Sequence, residues 1–191
     1  MKRHLVLLTL FLWIPIAHAD EVISVHDGDT ITVMKGQQRI RVRLACIDAP
    51  EMSQRPYGEK SKEYLQTNLP DGSEVTLKIK ATDRYGRRVA EIYKNGRNVN
   101  QSMVASGNAF VYWEYIKGCD RETYSRLENG ARFTQLGVWS PTGSLERPWV
   151  HRHLRRKHDD QRRVARPTRQ LASLPEQAEP GGCLSGCSAS C

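Results

Sequence analysis

Two short stretches of this chain carry carboxylates close together, Asp27-Gly28-Asp29-Thr30 and Arg43-Leu44-Ala45-Cys46-Ile47-Asp48-Ala49-Pro50-Glu51, and the second opens on an arginine. Oxygen donors of this kind suit a hard cation such as Ca²⁺ or Mg²⁺ rather than zinc. Each piece also has an ordinary reading. Asp-Gly-Asp forms an Asx turn in any β protein, and an Asp close before Pro opens a turn. A strand arginine such as Arg43 is usually an edge residue facing water, and Arg87 in Tyr85-Gly86-Arg87 can be a surface turn charge. As a set, however, they are chemically complete for a phosphodiester. A cation and two guanidinium groups neutralise the charge of the pentacoordinate state. Glu51, beside Asp48, is the base available to activate a water for in-line attack.

The surrounding pattern says what must position these groups. Val22, Ile23 and Val25 precede the Asp-Gly-Asp turn, Thr30 to Val33 is β-branched, and Ile40 to Leu44 alternates at period two. These runs predict an antiparallel three-strand meander. Pro50 to Pro56 cannot continue a central strand. A helix is expected over 59–69, stopped by Pro70-Asp71-Gly72. Strand patterns follow at Glu74 to Lys80 and Val89 to Tyr93, separated by the charged turn Thr82 to Arg87; Lys94-Asn95-Gly96 closes the second of them. Asn98 to Ser106 suits a short helix ended by Gly107, and Glu122 to Leu136 a last one. Five short strands without a βαβ rhythm leave a small barrel or sandwich. The helix between strands three and four favours a five-stranded barrel of OB type: mainly β, α+β, with about three helices.

Val25-His26-Asp27-Gly28-Asp29-Thr30, Arg43-Leu44 with Ile47-Asp48-Ala49-Pro50-Glu51, and Thr82-Asp83-Arg84-Tyr85-Gly86-Arg87 together resemble the thermonuclease family, whose best-known member is staphylococcal nuclease. The three motifs run in the family's order between about Val22 and Trp139. The resemblance implies an OB-fold barrel and a Ca²⁺-dependent phosphodiesterase acting on DNA and RNA to give 3′-phosphorylated products. It makes Asp29 and Asp48 side-chain calcium ligands and the carbonyl of Ala49 a further one. Where the family often has Thr, this chain has Ala49, which keeps the carbonyl and loses a hydroxyl. Arg43 and Arg87 grip the scissile phosphate and Glu51 is the general base. Arg84 and Tyr85 match a Lys-Tyr pair that contacts a neighbouring phosphate. Counting from Gly107 places the aromatic base pocket at Trp113 and Tyr115. Core packing is the other reading of the cluster Phe110, Tyr112, Trp113 and Tyr115, and it suits Phe110 best. The loop between Glu51 and the first helix is shorter than in the staphylococcal protein.

The ends of the chain read differently from its middle. Lys2 and Arg3, the apolar run from Leu5 to Ala17 and Ala17-His18-Ala19 have the three parts of a secretory signal, with cleavage after Ala19. A spanning helix needs about 20 apolar residues, and this run is shorter and contains Pro15. Cleavage takes the net charge from +8 to +6, a basicity that favours a polyanionic partner. Export allows disulfides. There are five cysteines, of which Cys46 and Cys119 are the pair to consider within the domain; Cys183, Cys187 and Cys191 are spaced C-x3-C-x3-C, unlike a zinc site. After Pro148 the composition turns Arg- and Lys-rich, then rich in Pro, Gly, Ser and Ala, and disorder is expected.

The expected organisation is therefore a signal peptide over 1–19, a thermonuclease-like domain over 20–149 and a basic tail over 150–191. The expected protein is a monomeric Ca²⁺-dependent nuclease, secreted or periplasmic, with no membrane anchor after cleavage. The competing readings are a non-catalytic OB-fold module that only binds nucleic acid, and a cationic protein acting through its Arg-rich tail.

Overall fold

The computed structural model describes residues 19–141 and 145–165. Eight strands run in chain order: β1 (Asp20–Val25), β2 (Thr30–Lys35), β3 (Gln38–Leu44), β4 (Ile47–Asp48), β5 (Glu74–Thr82), β6 (Arg88–Lys94), β7 (Arg97–Asn98) and β8 (Phe110–Val111). Four α-helices accompany them: α1 (Tyr57–Asn68), α2 (Val99–Ala105), α3 (Arg121–Phe133) and α4 (Pro148–Ala165). The main sheet is ordered β3-β2-β1-β5-β6-β7, and a parallel pairing of β3 with β6 closes β1, β2, β3, β5 and β6 into a mixed five-stranded barrel. The expected OB-type α+β architecture is present.

Alternation along the strands fills the barrel. Ile31 and Val33 of β2 and Val42 and Leu44 of β3 are buried, while Arg41, just before Val42, faces solvent. On β1 the buried residues are Val22 and Val25, three apart rather than two. A bulge between Val22 and Ser24 shifts the register there and restores the inward direction. β6 is buried on both faces. Ala90 and Ile92 point to the core, and Glu91 lies under the helices, accepting from Asn98 Nδ2 at 2.9 Å and Tyr124 Oη at 3.1 Å and pairing with Lys80 at 2.8 Å.

The helices start and stop on chemistry visible in the chain. Asn98 caps α2 by accepting from the Gln101 amide, and Asp120 caps α3 by accepting from the Thr123 amide. Gly107 follows the end of α2 at φ +68°, the left-handed position glycine occupies at little steric cost. Cys46 and Cys119 are joined as a disulfide, tying the turn after β3 to the start of α3. That turn sends the chain into β4, which pairs antiparallel with β8 and so places Asp48 opposite Phe110.

The end of the described chain departs from expectation. Where the composition predicts disorder from residue 150, α4 runs from Pro148 to Ala165. Proline suits the first helical position, where an amide would have no partner. Arg155 with Asp159 and Arg156 with Asp160 stand at i,i+4 spacing. The chain divides into two compact units after Arg152, so the first turn of α4 belongs to the barrel's unit and His153 onward to the second. Residues 1–18, all of the expected signal peptide but Ala19, and the tail cysteines lie outside the described residues. Among the described residues no helix is long and apolar enough to cross a membrane.

Candidate active site

Asp29 ends the turn between β1 and β2, whose first residue, Thr30, stands opposite Arg43 in the β2–β3 ladder. The Leu44 amide donates to the Asp29 carbonyl at 2.8 Å, which locks the turn to the end of β3. Gly28 is needed for this approach: a Cβ there would overlap Ser61 Oγ of α1 and stand 2.6 Å from Ala49 Cβ. The turn is therefore wedged between α1 and the segment that follows β4.

Arg43 joins the two carboxylates. Its Nη1 donates to Asp29 Oδ1 at 2.8 Å and its Nη2 to Asp48 Oδ1 at 2.6 Å. The second oxygen of Asp29 accepts from the Ala49 amide at 3.0 Å. The Asp48 side chain is 0% exposed. Burial and the neighbouring charge of Asp29 push its carboxyl above the usual range, against the pull of Arg152 and Arg43. Asp27, which accepts from the Asp29 amide, is pushed up to about 6 by burial and then by Asp29. Burial opposes the charge on Arg43, but Asp29 and Asp48 outweigh it and hold the guanidinium firmly protonated.

Glu51 reaches the same place from a loop held by Gln54. The Glu51 amide donates to Gln54 Oε1 at 3.0 Å, the Gln54 amide returns a bond to the Glu51 carbonyl at 2.8 Å, and Gln54 Nε2 donates to the Glu146 carbonyl at 2.7 Å. Gly58 of α1 packs directly on the Glu51 carbonyl, where a Cβ would overlap it. Gln54 is a supporting residue that sequence reasoning missed, because nothing in its local pattern separates it from a solvent-facing loop glutamine.

Arg152 of α4 was likewise not foreseen. Its Nη2 donates to Asp48 Oδ2 at 2.7 Å, and its Nη1 donates to Asp48 Oδ1 at 3.1 Å and Glu51 Oε1 at 2.6 Å. Burial works against this charge too, and the bonds to Asp48 and Glu51 more than compensate. The helix start is held by Trp149, stacked on Tyr112 with ring centroids 5.0 Å apart and planes 3° from parallel.

The third motif lies on the turn from β5 to β6. Arg87 Nε donates to Asp83 Oδ2 at 2.7 Å and the Arg87 amide to Asp83 Oδ1 at 2.9 Å. Burial opposes ionisation of Asp83, but the bonds from Arg87 and from the Tyr85 amide prevail and hold its carboxyl below the usual range. Arg87 precedes Arg88, which pairs with Val42 beside Arg43, so the two arginines emerge from neighbouring strands of the closed barrel. Tyr85 is 70% exposed, with the guanidinium groups of Arg84 and Arg87 over its ring at 5.1 and 5.5 Å.

The aromatic pair singled out from the sequence divides. Tyr115 is exposed and meets Tyr112 edge-on at 4.7 Å. Trp113 turns its Nε1 to Glu128 Oε2 at 3.0 Å and packs against the core. Tyr112, which precedes Trp113 in the chain and faces Trp149, has its hydroxyl pushed up by burial and then by Asp48.

Asp29, Arg43, Asp48, Ala49 and Glu51 are thus brought together, with Arg87 on the adjoining strand turn. The donors fit a hard cation in their chemistry: they are oxygen only, and two are buried acids that repel each other and require positive charge. Among the described residues no three acidic, histidine or cysteine side chains converge as a ready metal cage. The positive charge at Asp29, Asp48 and Glu51 comes from Arg43 and Arg152.

Residues 41–141 match the family model described as Staphylococcal nuclease homologue. An uncharacterized endonuclease of Escherichia coli O157:H7 is 39% identical over 158 residues, which span 80% of this chain and 99% of that protein. A micrococcal nuclease of Shigella flexneri is 40% identical over 141 residues, 69% of this chain and 79% of the other. A staphylococcal-like nuclease of Arabidopsis thaliana is 34% identical over 119 residues, 62% of this chain and 35% of the other.

Proposed function

The chain belongs to the family of staphylococcal nuclease homologues, and from that premise we propose that it is a Ca²⁺-dependent nuclease that cleaves DNA and RNA to 3′-phosphorylated products. It is a nuclease hydrolase acting on nucleic acid. The observation that supports this site over any other is the bridging of Asp29 and Asp48 by Arg43, with Glu51 on the same rim.

Asp29, Asp48 and the carbonyl of Ala49 would hold the cation. Bound there, it would supply Lewis-acid charge to a phosphate oxygen and lower the pKa of water. The remaining roles fall to the chain's own groups. Arg43 and Arg87 offer planar forks to the phosphate oxygens, and their charge matters more as the pentacoordinate state gains negative charge. Glu51 takes the proton of the attacking water. Arg84 and Tyr85 hold the next phosphate along the strand. Tyr115, exposed and edge-on to Tyr112, provides an apolar face for a base, which any of the bases can stack upon, so sequence preference is weak. The net charge, +8 for the full sequence and +6 once residues 1–19 are removed, favours the polyanion at long range. The apolar run near the N-terminus directs the protein to the periplasm or the exterior, where Ca²⁺ is plentiful.

The test is to incubate the purified mature chain with single- and double-stranded DNA and RNA, in Ca²⁺, in Mg²⁺ or in chelator. Cleavage of both nucleic acids with Ca²⁺, abolished by chelation, is expected. Binding without any product would instead establish a binding module.

A further inference from the structure

The proposed chemistry makes no use of Arg152, yet no other side chain bridges Glu51 to Asp48 among the described hydrogen bonds. We propose that Arg152 is a built-in competitor for the cation site: while α4 is docked its guanidinium occupies Asp48 and Glu51, and a divalent cation binds only as the first turn of α4 lets go. This inference rests on the Ca²⁺ reading of the site.

Three observations carry it. The first is charge. Arg152 supplies the positive charge paired with Asp48 Oδ2 and with Glu51, and a dication held by Asp48 supplies the same charge in its place. The second is occupancy. With Arg152 docked, both oxygens of Asp48 accept from guanidinium groups, Oδ1 from Arg43 and Arg152 and Oδ2 from Arg152. The fork takes Asp48 Oδ2, which a cation held by Asp29, Asp48 and Ala49 would need, and its other arm engages Glu51, the carboxylate proposed as the base. The third is release. The first turn of α4 is anchored by side-chain contacts rather than by a sheet: Trp149 on Tyr112, and His151 Nε2 against Ser53 Oγ at 3.0 Å. One helix turn therefore meets Tyr112, Ser53 and the two carboxylates through Trp149, His151 and Arg152.

A site whose competent state is a minor fraction binds its ligand more weakly by that fraction. If Arg152 is docked in nine molecules of ten or more, removing it strengthens the apparent Ca²⁺ affinity about tenfold or more. The experiment is a calorimetric Ca²⁺ titration of the full chain and of Arg152→Gln, without nucleic acid. Thermal unfolding in chelator verifies that the variant is folded. The expected result is a Kd for Arg152→Gln lower by at least about tenfold. Trp149→Ala, which loosens the docked turn and leaves the carboxylates intact, should move the Kd in the same direction. In the unaltered chain, amide hydrogen exchange over 149–152 should speed up as Ca²⁺ is added. Equal or weaker Ca²⁺ binding by Arg152→Gln overturns the proposal, as does exchange that Ca²⁺ leaves unchanged. If both proteins bind Ca²⁺ equally, only the competitor role falls. If neither binds it, the Ca²⁺ reading falls and the competitor role with it.

Discussion

Arg43 and Asp48 stand five residues apart and meet at 2.6 Å, Nη2 to Oδ1, across the turn that separates β3 from β4. The contact is intimate because Asp48 is wholly enclosed and Arg43 nearly so, with side-chain exposures of 0% and 18%. A charge enclosed in this way is tolerable only with its partner present.

Asp48→Ala should destabilise the domain. The cost stays below the roughly 3–5 kcal/mol of a buried charge left wholly unpaired, because Arg43 keeps Asp29 and Arg152 keeps Glu51. Urea unfolding of the purified variant measures this directly. An unfolding midpoint equal to that of the unaltered chain would show that the pair is not buried as described.

Glu51→Gln separates chemistry from structure. Glu51 is a third exposed, its backbone is held by Gln54 and Gly58, and neither support involves its carboxylate. The variant should fold normally while kcat falls about 10²- to 10⁴-fold, the usual worth of a general base. Undiminished turnover would remove Glu51 from the proposed role.

Asp83 should act through Arg87. Its carboxyl is held below the usual range by Arg87. A depressed carboxylate contributes stability at pH values above its unfolded value, and that contribution is lost as pH falls through the folded value. The clamp on Arg87 is thus intact at neutral pH and loosens only in acid, below about pH 4. Asp83→Asn should lower kcat/KM about tenfold at neutral pH through misplacement of the arginine. Part of the unaltered protein's stability loss in acid should vanish with it. An unchanged acid limb in the variant's unfolding curve would contradict the clamp.

Gly28→Ala tests the wedge between the Asp-Gly-Asp turn and α1. The added methyl has no space beside Ser61 Oγ and Ala49 Cβ. Overpacking of this kind costs about 1–3 kcal/mol, and because Asp29 is the next residue, Ca²⁺ affinity should fall too. Calorimetry with and without Ca²⁺ reads both effects.

The barrel was legible because its strands obey a simple rule: Ile31, Val33, Val42 and Leu44 alternate with polar residues, and the buried face follows at once. Asp29, Arg43, Asp48 and Glu51 were legible because they lie within two short motifs. Long-range partners were not. Gln54 holds Glu51 through its side-chain oxygen and reaches Glu146, ninety-two residues away, and no periodicity encodes that bond. α4 has no apolar stripe beyond its first turn, so composition predicts disorder, and Arg152 looks like one more arginine in a basic run. The aromatic segment shows another limit. Counting gives a position along the chain but not a direction, and Trp113 to Tyr115 form a short 3-10 turn that re-aims the side chains. Trp113 points to Glu128, and Tyr112 to Trp149.

The most direct test of the central claim is the identity of the ends left by the purified mature chain acting on DNA in Ca²⁺. The proposed Ca²⁺-dependent activity predicts 3′-phosphate and 5′-hydroxyl ends, with no product in chelator. Ends bearing 5′-phosphate, or cleavage that survives chelation, would contradict it.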